Sequence, residues 1–140
     1  MSEITPNYAK TCTVFVDPDV YAIKLLERAG EAVVCGRILI ENRDWQPQAN
    51  MCHHNVTTCC ELHPEFKIVR GWLYFDLPNY SYAKFVAHSV VRAPDGELGD
   101  ITPSNTFQDY PFLVSGLTEE EYAYVVEELG NQFLHAPKIR

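Results

Sequence analysis

The sequence predicts an α+β fold in which an antiparallel sheet packs against a helix carrying a cysteine at its N-terminal end. Three observations lead there. Residues 51–63 have the length and apolar spacing of one buried helix, entered from an amide-rich loop and ended by Pro64. Residues 66–77 are aromatic and β-branched enough for a long strand, with a turn at Pro78-Asn79-Tyr80-Ser81. Residues 83–103 hold two β-rich runs on either side of Pro94-Asp95-Gly96, with proline at the first central turn position and glycine where φ turns positive.

The remaining elements follow in order. Residues 11–16 alternate as a strand does, and Asp17-Pro18-Asp19 then opens a helix whose inward residues are expected to be Val20, Ile23, Leu25 and Leu26, with Gly30 as its stop. Residues 32–41 read as a strand or a short pair of strands, with Cys35 as a small buried hydrophobe. In the helix over 51–63, Cys52, Asn55, Val56, Cys59 and Cys60 share one side, while His53, His54 and Glu61 turn toward solvent. Residues 110–114 form a last edge-like strand, and Thr118 caps a final helix with Glu119, Glu120 and Glu121 in its first turn.

Composition narrows the function classes. With 140 residues, 46% hydrophobic and 21% charged, residues 1–140 are expected to be a single domain with its own core. A net charge of −8, from 11 basic and 19 acidic side chains, argues against nucleic acid or an anionic membrane as partner, since both need a basic footprint. No run approaches transmembrane length and the first residues lack the basic-then-apolar order of a secretory signal, so a cytoplasmic location is expected. Five cysteines without disulfide-framework spacing agree with a reducing compartment.

The chemistry is sought at Cys52. A thiol becomes a useful nucleophile when its thiolate is stabilised, and a helix N-terminus and a neighbouring imidazolium both do that. The hairpin supplies the imidazole. If Ala93 pairs with Glu97 across the turn, Val90 lies opposite Asp100 and His88 opposite Thr102. Asp100 and His88 then share a face as diagonal neighbours roughly 7–8 Å apart between backbones, within side-chain reach. A slip of one residue would send Asp100 to the other face.

A helix with cysteine at its start, followed by a sheet with histidine on one strand and aspartate on the next, resembles the papain-like superfamily in its broad sense, including transglutaminase-like and bacterial amidase and deamidase members. Gly99-Asp100-Ile101-Thr102-Pro103 is similar to the Asp-Pro-Thr ending of the transglutaminase-like core, in a different order, and the Cys-Gly-Ser-Cys-Trp type of papain signature is absent. The resemblance implies Cys52 as nucleophile, His88 as base and Asp100 as its orienter. It also implies Gln46, six positions before Cys52, as the side chain that donates to the oxyanion, with Gln48 as its rival. Trp45, Asn55 and Trp72 are the expected substrate contacts.

The expected activity is thiol-dependent hydrolysis or acyl transfer at an amide of a peptide, protein or small molecule, through a thioester and with no cofactor and no metal. Plainer roles compete with it. Cys52 could be a packing residue, His88 a core histidine and Asp100 a capping carboxylate, giving a non-catalytic binding or regulatory protein. Alternatively, Cys52, His53, His54, Cys59, Cys60 and His63 could hold a metal, Cys59 and His63 sharing a helical face.

Overall fold

A computed structural model describes residues 15–104 and 110–138. Its architecture is α+β, built on the long strand β3 (Tyr82–Arg92). β2 (Lys67–Phe75) runs antiparallel to β3 from Lys67 opposite Arg92 to Phe75 opposite Lys84, and β5 (Phe112–Val114) covers the far side of β2. The other edge of β3 is divided. β6 (Phe133–Pro137) pairs with Tyr82–Val86, while β4 (Leu98–Asp100) pairs with Val91 and Arg92 and carries the two-residue parallel strand β1 (Gly36–Arg37).

The β3–β4 turn closes as its sequence predicts. The Ala93 amide donates to the Glu97 carbonyl at 2.8 Å, and Gly96 takes φ +93°, which a side chain would resist. Val91 lies opposite Gly99 and Arg92 opposite Leu98, the register that brings Asp100 level with Val90.

Helix α1 (Pro18–Glu27) starts at Asp17, whose carboxylate accepts from the Asp19 and Val20 amides. Its buried face is Tyr21, Ala22 and Leu25: of the expected inward set Leu25 is fully buried and Leu26 packs partly buried against the core, while Val20 and Ile23 are 48% and 43% exposed. Tyr21 decides the rotation, because its hydroxyl donates to the Ser115 carbonyl at 2.6 Å and accepts from the Trp72 indole at 2.9 Å. A short 3₁₀ turn, Ala29–Glu31, follows. The strand expected over 11–16 lies mostly outside the described residues, and Phe15 and Val16 are in no strand. Of residues 32–41 only β1 and one bridge from Val33 to Phe112 pair, and Cys35 is half-buried in a cavity wall rather than in the core.

Helix α2 (Cys52–Leu62) buries Asn55, Val56 and Cys59, the last two in a core with Val91 and Ile101. Helix α3 (Glu119–Ala123) has a capping box between Thr118 and Glu121 and runs on as a π-helical turn, Tyr124–Glu128. It is not the last element, since β6 follows. The larger core lies between the sheet and helices α1 and α3, around Trp72, Phe85, Leu113, Tyr122 and Val125. Among the described residues no helix is long and apolar enough to cross a membrane.

Candidate active site

The divided edge of β3 makes the site. β6 stops pairing at Val86, with one further bond from the Ala87 amide to the Gln132 carbonyl at 2.9 Å, and β4 pairing begins at Val91. Among the described residues, 88–90 therefore have no strand partner on that side, and the first turn of α2 stands there. Strand alternation turns His88 to one face and Ser89 to the other. At this edge a residue from α2 can meet groups on both.

The turn into α2 is held from within. Asn50 takes the left-handed conformation at φ +65°, and Met51 provides no side-chain cap, so the first amides of the helix stay without helical partners. Asn55 fixes the loop ahead of it. Its amide nitrogen donates to the Gln48 carbonyl (2.8 Å) and the Thr102 hydroxyl (2.9 Å), and its oxygen accepts from the Gln48 amide (3.1 Å). One buried side chain thus ties the cysteine loop to the residues just beyond Asp100.

His88 and Asp100 are in direct contact, Nε2 to Oδ2 at 2.8 Å, with side chains 12% and 15% exposed. Asp100 is itself positioned: its Oδ1 accepts from the Thr102 amide at 3.0 Å, and Arg37 lies 3.6 Å from Oδ2 while donating to the Thr102 carbonyl at 2.6 Å. With Nε2 committed to the carboxylate, Nδ1 is the nitrogen left for the thiol. Burial alone would depress His88, but Asp100 and Cys52 outweigh it and raise its pKa to about 9.

Burial would likewise raise Cys52, yet the imidazoles of His53 and His88, by hydrogen bonding and charge, bring it down to about 6. Of the four described cysteines, all free thiols, only Cys52 is lowered: burial pushes Cys35 and Cys59 up to about 11 and Cys60 upward as well. Near neutrality Cys52 and His88 therefore exist as thiolate and imidazolium. They open on a cavity of about 860 Å³, whose wall includes Arg37, Asp100, Phe112 and Phe133.

The other expected site residues lie elsewhere. Gln46 is exposed and its side-chain amide donates to the Asn42 carbonyl at 2.7 Å, while Gln48 is engaged through its backbone; neither lines the cavity. Trp45 packs beside Ile40 and Val56. Trp72 is fully buried in the larger core with its indole on Tyr21, so it cannot touch a substrate, and Asn55, 1% exposed, is a structural clamp. Among the described residues no group of three or more His, Cys, Asp or Glu could hold a metal ion.

Four residues at the site were not expected. His53, assigned to solvent from helical spacing, instead turns inward with Nδ1 2.7 Å from the Ser89 hydroxyl. Arg70 donates to the same hydroxyl at 3.0 Å and to Glu119 at 3.1 Å. Tyr122 meets the His53 ring edge-on at 5.9 Å, and its hydroxyl donates to the Gly71 carbonyl at 2.8 Å. The alternation that places His88 on one face of β3 also places Ser89 on the other, and that was the available signal. No protein-family model, curated protein or solved structure matches the chain.

Proposed function

We propose that this protein is a cysteine-dependent hydrolase or acyl-transfer enzyme acting on an amide, on a core of papain-like kind, with Cys52 as nucleophile, His88 as proton carrier and Asp100 as its orienter. The observation that carries this is the Cys52–His88–Asp100 arrangement on three separate elements at the wall of an open cavity. The thiolate attacks the carbonyl carbon, forming the C–S bond and moving the carbonyl π electrons onto oxygen. Collapse of that oxyanion breaks the C–N bond, the amine leaves with the proton of His88, and water or a second amine resolves the thioester.

Alkylation by iodoacetamide at pH 7, followed by peptide mass spectrometry, tests the pair. Cys52 is expected to label at least about tenfold faster than Cys35, Cys59 or Cys60, given its larger thiolate fraction, and His88→Ala is expected to abolish most of that advantage. Equal labelling of all four in the folded protein would refute an activated thiol.

A further inference from the structure

The glutamines expected to stabilise the oxyanion do not line the cavity, while a second imidazole does. His53 follows Cys52 on the first turn of α2, lies near enough to lower the pKa of its thiol, and walls the same cavity. On its far side a polar chain holds the ring: His53 Nδ1 to Ser89 Oγ, Ser89 Oγ to Arg70, and Arg70 to Glu119. Arg70 can only donate, so it occupies a lone pair of the Ser89 oxygen and favours turning the Ser89 proton toward Nδ1. In the neutral ring this leaves the proton on Nε2.

We propose that His53 is a second catalytic residue with a role distinct from that of His88: its Nε2–H is the side-chain donor to the oxyanion, and Ser89 and Arg70 are positioning residues that fix its tautomer. The proposal rests on Cys52 being the nucleophile. As the C–S bond forms, negative charge leaves sulfur and appears on the carbonyl oxygen one bond further on. A donor beside the thiolate on the same cavity wall is near that oxygen, and the first-turn amides of α2 offer a second contact. His88, bound to Asp100, moves the proton to the leaving group. His53 moves none.

Two reagents separate the roles. Iodoacetamide alkylates sulfur without forming an oxyanion, whereas p-nitrophenyl acetate acylates it through one, releasing p-nitrophenolate and leaving an acetyl thioester. Because burial alone would raise the Cys52 thiol, both reactions are followed over a pH series and each rate is divided by the thiolate fraction of that variant, so that a shifted thiol pKa does not enter the comparison. In His53→Ala, acylation is expected to fall on the order of 100-fold, while alkylation stays within about threefold of wild type. His53→Gln, which restores an N–H donor, is expected to recover much of the loss, and Ser89→Ala to show a smaller loss of the same pattern.

If the two reactions fall together, or if neither falls, the oxyanion role is overturned. Full acylation by a folded Ser89→Ala would overturn the positioning roles, even if His53→Ala fails to fold. A wild-type protein that forms no acetyl thioester at Cys52 removes the hydrolase itself. One that forms it equally fast with and without His53 removes only this assignment.

Discussion

At the scale of single residues, Asp100 and Asn55 do unlike jobs with similar side chains. Asp100 is in contact with His88 and holds its pKa above the usual imidazole range despite burial. Asp100→Asn keeps the shape and removes the charge, so the Cys52 thiol is expected to rise toward the free value of about 8.5. Asp95→Asn, in the exposed turn, is expected to leave it alone, and a pH series of Cys52 alkylation compares the two. A group whose pKa is raised on folding stabilises the fold below its unfolded value and loses that contribution as pH climbs through the folded value. The stability gap between wild type and Asp100→Asn is therefore expected to be largest near pH 6 and to close through about 9, as urea denaturation at the two ends would measure. Asn55 carries no charge to lose, yet Asn55→Ala strands buried partners at Gln48 and Thr102. It is expected to cost about 2–3 kcal/mol and to slow Cys52 alkylation by loosening the loop.

At the scale of elements, β2 positions the site from behind. Gly71 lies opposite His88 in the β2–β3 ladder, and its carbonyl accepts from Tyr122. A methyl group at that position would run into the Leu113 carbonyl oxygen and the Phe112 ring, neither of which is the loose end of a flexible chain. Gly71→Ala is accordingly expected to destabilise the fold by about 1–3 kcal/mol through overpacking, read as a lower urea midpoint. The start of α3 is a separate contribution. Thr118→Ala breaks the capping box and is expected to cost about 1 kcal/mol while leaving Cys52 alkylation nearly unchanged, because Tyr122 remains packed in the core.

At the scale of the molecule, two strands sharing one edge of β3 leave room for the first turn of a helix, and the thiol and both imidazoles converge in that space. The pH behaviour follows from their charges. Thiolate forms as pH rises through about 6, and imidazolium is lost as pH rises through about 9. Alkylation, which needs only thiolate, is expected to rise near 6 and stay level. Turnover of an amide also needs the His88 proton, and is expected to follow a bell bounded by the same two values. A pH–rate profile identical in shape for both reactions would remove His88 as the acid.

The sequence by itself determined the α+β class, the α2 helix with its cysteine at the start, and the β3–β4 register that joins His88 to Asp100, because each is fixed locally by a turn, a cap or a two-residue alternation. Only the tertiary structure decided the rest. α1 turns on Tyr21 because a buried hydroxyl needs its partners, and apolar spacing alone could not choose between two overlapping faces. β6 exists through its pairing with β3, a contact between residues about fifty apart in the chain. His53 entered the site because helical spacing fixes the angle between side chains while only packing against Ser89 and Tyr122 fixes what each of them meets. The glutamines stay out of it because the loop ahead of α2 binds them elsewhere, Gln46 to the Asn42 carbonyl and the Gln48 backbone to Asn55.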